Sequence, residues 1–101
     1  MRVVVFFDLS TVTSIDRRNY RRFRGYLLKK GFMMLQESVY CKLALNMTAA
    51  NAIMHDVRLN KVSKGFILML ALTEKQFSNI EIVLGELETE IIHSDNRVLV
   101  L

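Results

Sequence analysis

Two stretches of this 101-residue chain are apolar without interruption, and they constrain its fold more than any other feature. Residues 3–7 and 66–72 show no alternation of apolar and polar side chains, a pattern typical of strands that are covered on both faces. Both are far shorter than the ~20 apolar residues that a membrane-spanning helix needs. We therefore predict two central strands of one sheet and no membrane partner.

The segment after the first strand predicts a helix with a well-marked beginning and end. Thr13 or Ser14 can cap its start, and Asp16 in its first turn interacts favourably with the helix dipole. Gly31 ends it, because glycine readily adopts the left-handed conformation that follows many helices. We expect this helix to run to about Lys30.

The rest of the chain predicts a mixture of strands and helices. Residues 32–45 form either one long bent strand or two short strands broken within 36–38, and the pattern leaves both open. The elements predicted beyond them are a helix at 48–60 with an N-cap in Asn46-Met47-Thr48, a basic turn at 61–65, a helical turn at 73–77, and strands at 80–84 and 97–101.

This order of elements indicates an α+β fold of the ferredoxin-like type, β-α-β-β-α-β, with one additional strand at the C-terminal end. We predict a ferredoxin-like domain over residues 1–85 and an acidic extension over 86–101. Hydrophobic residues make up 51% of the chain, more than a modest core requires. A homodimer would bury the excess, and the terminal strand is expected to pair with a sheet edge, such as that of the partner subunit.

Charge is divided unevenly along the chain. The formal net charge is +4, but the residues up to Lys64 carry +8 and the remainder carries −4. This division favours two surfaces with different partners. The late acidic residues, which either keep a sheet edge solvated or meet a protein partner, are Glu81, Glu86, Glu88 and Glu90.

The predicted first helix carries most of the positive charge. Tyr20, Phe23 and Leu27 share one narrow stripe that faces the sheet, and basic residues occupy the opposite side. No acidic residue follows Asp16 in this helix, although a merely solvated face usually mixes both signs. Arginine suits bidentate phosphate contacts, so we predict a sequence-independent nucleic-acid interface. Its candidate residues are Arg17, Arg18, Arg21, Arg22, Arg24 and Lys29.

Asp8 ends the first apolar strand, where a carboxylate is costly unless it has a partner. It accepts hydrogen bonds from the backbone of residues 10–14, caps the following helix, or binds a magnesium ion. One carboxylate per chain makes a poor magnesium site, because hard cations prefer several oxygen ligands. A two-fold dimer that pairs two copies of Asp8 would make a better one.

Other reactive residues carry little signal. Cys41 is the single cysteine, so no intrachain disulfide forms, and it is predicted to be a small core residue in a cytoplasmic protein. His55 and His93 lack a partner at metal-ligand spacing, and we interpret both as surface or hydrogen-bonded residues. The chain contains no phosphate-binding glycine motif and no nucleophile motif.

Three short motifs in serial order resemble a known family. Phe7-Asp8-Leu9 leads into the arginine-rich helix, a glycine precedes Gln36-Glu37-Ser38-Val39-Tyr40, and Thr73-Glu74-Lys75-Gln76-Phe77 follows a strand. Over residues 1–85 the chain resembles the CRISPR-associated protein 2 family, the small subunit of the spacer-acquisition complex. The acidic stretch and the final strand resemble the extended tail found in type II systems.

The resemblance implies a ferredoxin-like homodimer that bridges two dimers of the integrase, CRISPR-associated protein 1, and holds prespacer duplex DNA. It also implies a second function, because members are described as magnesium-dependent endonucleases that cut RNA or double-stranded DNA. In that function the aspartate at the strand end binds the metal, a role that falls on Asp8 alone. The family often has tyrosine where this chain has Phe7. The two alternatives are thus a non-catalytic scaffold and a nuclease.

Overall fold

The computed structural model describes residues 1–86 of the chain. Four antiparallel strands form one sheet in the order β2-β3-β1-β4, and β1 pairs with both β3 and β4. This strand order and the intervening helices confirm the predicted ferredoxin-like α+β fold. The elements are β1 (Arg2–Asp8), α1 (Ser14–Lys29), β2 (Met33–Gln36), β3 (Val39–Leu43), α2 (Met47–Leu59), β4 (Phe66–Leu72) and α3 (Glu74–Ser78).

Local sequence signals set the helix ends. The Thr13 side chain accepts a hydrogen bond from the Asp16 backbone N–H, and the Asp16 carboxylate accepts one from the Thr13 backbone, which makes a capping box. The Asn46 side chain caps α2 by accepting from the backbone N–H of Ala49. Gly31 follows α1 with a φ of 91°, the left-handed conformation expected there.

The main core lies between one face of the sheet and the two long helices. Val3, Val5 and Phe7 of β1 point into it and are at most 5% exposed. The Phe7 ring packs edge-to-face on Phe23 of α1, with ring centroids 5.2 Å apart, and stacks on Tyr40 at 5.6 Å. Helix α1 therefore faces the sheet through the apolar stripe that its sequence predicts.

Residues 32–45 form two strands rather than one bent strand. Strand β2 ends at Gln36 and β3 begins at Val39, with a register irregularity between Met34 and Gln36. Ser38 in the turn has a φ of 65°, and its carbonyl accepts a hydrogen bond from the Phe7 N–H at 3.0 Å. This turn therefore continues the contact between β3 and β1 beyond the paired residues.

In the sheet formed by residues 1–86, strand β4 lies at an edge, so the prediction that both apolar strands are central is wrong for this one. Ile67, Met69 and Ala71 pack against the main core. Phe66, Leu68 and Leu70 alternate with them and face away from α1 and α2, with 62%, 50% and 48% of their surface exposed. The unbroken apolar pattern correctly indicates two apolar faces, but residues 1–86 cover only one of them at these positions.

A smaller cluster covers part of the second face of the sheet. Val4 and Cys41 are buried there beneath Phe77 of α3, and Ile80 and Ile82 pack beside them. The predicted strand at 80–84 is wrong, because these isoleucines lie across the face of the sheet rather than along an edge. Their alternating apolar pattern reflects contact with the small cluster.

An ion pair between Arg2 and Glu74 fixes α3 to the sheet. The Arg2 Nε lies 3.0 Å from a Glu74 carboxylate oxygen, and its guanidinium lies 4.6 Å from the centre of the Phe77 ring. The hydrogen bond from Arg2 is the main cause of the lowered pKa of Glu74. Helices α1 to α3 all lack the combination of length and apolar character needed to cross a bilayer.

Candidate nucleic-acid interface and the Asp8 cavity

The basic side of α1 points away from the sheet. Phe23 and Leu27 are buried on the inner side of this helix, whereas all of its basic side chains are exposed. The sequence-predicted candidates that share this outer surface are Arg17, Arg18, Arg21, Arg22, Arg24 and Lys29. Because no acidic residue follows Asp16 in this helix, its outer surface carries positive charge only.

Arg17 differs from the other candidates in its contacts. Its guanidinium Nη1 donates to the backbone carbonyls of Thr11 at 3.2 Å and Val12 at 2.9 Å. The side chains of the remaining five form no hydrogen bond or ion pair with any other residue in 1–86. Arg17 therefore orders the loop before the helix, and the other five retain their donors for an external acceptor.

The loop between β1 and α1 is held by side chains rather than by regular structure. The Ser10 hydroxyl donates to the Asp16 carboxylate at 2.9 Å and accepts from the Val12 N–H at 3.3 Å. The hydrogen bond from Ser10 is the main cause of the lowered pKa of Asp16, followed by the bond from the Thr13 backbone. Sequence reasoning identified the capping residues but not Ser10, whose contact depends on how the loop folds back.

Asp8 lies at the end of β1 with its side chain exposed, not buried in the strand. Its carboxylate accepts no hydrogen bond from the described residues. The donors of the following loop, the Ser10 hydroxyl and the Thr13 backbone N–H, bond to the Asp16 carboxylate instead. Asp8 lines an open cavity of 240 Å³ together with Phe6, Ser38, Phe66 and Leu68. Of the three roles predicted for Asp8, hydrogen bonding to the backbone of 10–14 and capping of α1 are therefore wrong, because Thr13 caps the helix.

Asp8 is the residue of this site that could bind a magnesium ion. Within residues 1–86, no three His, Cys, Asp or Glu side chains cluster closely enough to hold a metal. Among the described residues, Asp8 is the one carboxylate that lines the cavity. Because hard cations prefer several oxygen ligands, the donors of a single chain do not fit magnesium.

An exposed apolar patch borders Asp8. It consists of Phe6, Phe66, Leu68 and Leu70, which lie on the second face of the sheet next to the cavity. The strand register pairs Phe6 with Leu68 and Asp8 with Phe66, so the patch is continuous across β1 and β4. Contiguous exposed apolar surface of this kind marks association with another macromolecule.

The other candidate residues fall outside these two surfaces. Cys41 is 1% exposed, and burial raises the pKa of its thiol, as expected of a core residue. His55 is exposed on α2, and His93 lies outside the described residues.

The late acidic residues lie only partly within the described part of the chain. Glu81 and Glu86 are exposed. Outside residues 1–86 lie Glu88, Glu90 and the predicted strand at 97–101.

Comparisons with known proteins agree with the sequence motifs. The family described as "CRISPR associated protein Cas2" matches residues 1–80. A Treponema denticola protein named CRISPR-associated endoribonuclease Cas2 is 48% identical over 101 residues, covering all of both chains. Proteins of the same name from Streptococcus mutans and Ligilactobacillus salivarius are 44% and 37% identical over all of this chain, covering 93% and 100% of their own lengths.

Proposed function

Because the chain belongs to the Cas2 family of CRISPR-associated proteins, we propose that it is the scaffold subunit of a spacer-acquisition complex. In this function, a homodimer binds double-stranded prespacer DNA through its phosphate backbone and bridges two dimers of the integrase, CRISPR-associated protein 1. The family matches confirm the resemblance carried by the three motifs. The scaffold role goes beyond them.

The observation that carries this proposal is the exposed surface of α1, whose charged side chains beyond Asp16 are all positive. Arg18, Arg21, Arg22 and Arg24 are exposed on a helix that is packed against the core by its other side. None is neutralised by a carboxylate within residues 1–86. Arginine side chains arranged in this way contact phosphates of either strand without reading the base sequence.

The apolar patch supports the homodimer. Phe6, Phe66, Leu68 and Leu70 are of the type that a second copy would bury, and Asp8 lies beside them. A two-fold contact through this patch would bring the two Asp8 side chains toward each other.

The acidic C-terminal part supports a separate protein contact. Glu81 and Glu86 are exposed, and more acids follow within the proposed extension at 86–101. Negative charge repels the phosphate backbone, so this part is suited to docking the integrase rather than DNA. The proposed function also places the protein in the cytoplasm, where a buried, reduced Cys41 is compatible with the compartment.

The decisive experiment measures the salt dependence of duplex binding. The variant Arg18→Gln/Arg21→Gln/Arg22→Gln/Arg24→Gln removes four positive charges from α1 and none of the core contacts. Each lost phosphate contact should reduce the slope of log affinity against log salt by about 0.9. Fluorescence anisotropy of a labelled short duplex, titrated at several potassium chloride concentrations, gives this slope.

The matched control replaces the same four arginines with lysine, which preserves the charge. This control should keep most of the slope, because the slope reports counterion release rather than bidentate geometry. A glutamine variant with the slope of the parent protein would overturn the proposed function.

The names of the relatives favour a second candidate function. The three proteins compared above are each named an endoribonuclease. In this alternative, magnesium-dependent cleavage of RNA or duplex DNA uses two Asp8 carboxylates paired across the dimer. An Asp8→Asn variant should then lose cleavage while retaining duplex binding and its oligomeric mass. Cleavage at the parent rate by this variant would remove the alternative.

A further inference from the structure

The turn between α2 and β4 carries basic residues that are not part of the α1 surface proposed to contact phosphates. Lys61 and Lys64 are both exposed in this turn, while Val62 between them is 7% exposed and belongs to the main core. The turn is thus anchored through Val62, and its two lysines point away from the core.

Strand pairing places this turn beside the beginning of α1. Asp8, at the end of β1, pairs with Phe66, at the start of β4. The turn before β4 and the loop after β1 therefore lie at the same end of the sheet. The positive charge of Lys64 adds to the hydrogen bonds that lower the pKa of Asp16, which is consistent with Lys64 lying near the first turn of α1.

Close backbone packing holds the turn in this position. Gly65 has a φ of 113°, which side-chain-bearing residues rarely adopt. A Cβ at this position would lie 2.3 Å from Leu9 Cδ2 and 3.1 Å from the Asp8 carbonyl oxygen. The turn therefore rests directly on the chain leaving β1, and its lysines keep a fixed relation to α1.

The charges of the two lysines are not neutralised within residues 1–86. The Lys61 Nζ donates to the Arg58 carbonyl at 3.3 Å, and no carboxylate lies within ion-pair distance of either lysine. The neighbouring Asp16 carboxylate already accepts from Ser10 and Thr13. Both ammonium groups therefore add to the positive potential at this end of the sheet.

We propose that Lys61 and Lys64 form a second phosphate-contacting element, which extends the nucleic-acid interface from α1 across the turn between α2 and β4. This inference rests on the proposed duplex binding and adds to it a contact made by a different part of the chain. Lysine acts at such a position as a point charge on a phosphate. The occupant is the sugar-phosphate backbone of a double-stranded nucleic acid.

The test compares single lysine substitutions at the two ends of the sheet. Lys61→Gln and Lys64→Gln should each weaken duplex binding and lower the salt slope by about 0.9. Lys75→Gln is the matched control, because Lys75 is an exposed lysine on α3, which follows the opposite end of β4. It should leave both quantities at the parent values, and thermal melting should show all three variants folded like the parent.

The outcomes separate this inference from the proposed function. If the α1 glutamine variant loses slope but Lys61→Gln and Lys64→Gln keep that of the parent, the second element is wrong and the proposed function stands. Equal losses for Lys61, Lys64 and Lys75 would also overturn it, because they would reflect net charge alone. A parent protein with no salt-dependent duplex binding would overturn both.

Discussion

The two faces of the sheet are both apolar, but they differ in what covers them. On one face, α1 and α2 bury Val3, Val5 and Phe7 almost completely. On the other, α3 and residues 80–82 cover Val4 and Cys41, while the apolar patch defined above stays exposed. Apolar character is therefore used for folding on the first face and is available for association on the second.

The largest expected effect is on the free energy of unfolding, and it shows whether the two faces of the sheet contribute differently to folding. Phe23→Ala removes a ring that is 1% exposed from the helix-covered face and should lower the free energy of unfolding by roughly 3–5 kcal/mol. Leu68→Ala, at 50% exposure, should cost under about 1 kcal/mol in dilute protein. Urea denaturation at low protein concentration measures both. Similar losses of unfolding free energy in the two variants would contradict the conclusion that the two faces contribute differently to folding.

The second prediction concerns association through the apolar patch. The parent chain should form a dimer. At a protein concentration about a hundredfold above the dissociation constant of that dimer, binding of one folded copy to another should raise the apparent stability by about 2.7 kcal/mol. Leu68→Asp places a charge in the patch and should give the mass of a single chain. Size-exclusion chromatography with light scattering checks this result, and Thr48→Asp, an exposed position on α2, is the control.

A smaller effect is expected from the polar link on the helix-covered face. The Tyr26 hydroxyl of α1 donates to the Asp56 carboxylate of α2 at 2.5 Å, in a part-buried setting. Burial is the main cause of the raised pKa of Tyr26, and the bond to Asp56 adds to it. Tyr26→Phe should cost about 1–2 kcal/mol, measured by urea denaturation. An unchanged free energy of unfolding would show that this bond is not needed to hold the two helices together.

The smallest expected effect belongs to the corresponding link on the second face. In the Arg2–Glu74 pair the Glu74 side chain is 52% exposed and the Arg2 side chain is 17% exposed, so solvent screens the carboxylate and Glu74→Gln should cost under about 1 kcal/mol at neutral pH. Because the folded-state pKa of Glu74 is lowered, its contribution is complete above the ordinary value of 4.5 and disappears as the pH falls through the lowered value.

Thermal melting of the parent and of Glu74→Gln between pH 7 and pH 3 measures this contribution. The difference between the two proteins should shrink on acidification. A difference that grows toward low pH would have the wrong sign for a carboxylate stabilised in its charged form.

Local features were predictable because they depend on neighbouring residues. A cap at Thr13 or Ser14, the Gly31 terminator and the stripe containing Phe23 all follow from spacing along one helix, and the structure assigns the cap to Thr13. The full extent of β4 also matches its apolar run. The predicted strand at 80–84 failed, because Ile80 and Ile82 pack on the sheet face and a period of two does not distinguish face packing from strand pairing.

The candidate site was only partly predictable for a related reason. The basic side of α1 follows from helical periodicity, so its exposed residues were identified correctly as one surface. The contacts of Arg17 with the Thr11 and Val12 carbonyls depend on the path of a loop. The exposure of Asp8 likewise depends on where β1 ends relative to its neighbours, which no pattern in β1 specifies.

The sequence by itself determined where α1, α2, β1 and β4 lie, which surfaces are apolar, and where positive charge gathers. These properties arise from residues close in the chain, whose periodicity and capping act locally. Only the tertiary structure decided that β4 lies at an edge of the sheet within residues 1–86, that these residues leave the patch beside Asp8 exposed, and that Lys61 and Lys64 lie near α1. Those outcomes depend on pairing between distant strands, because burial and charge proximity are properties of the assembled sheet.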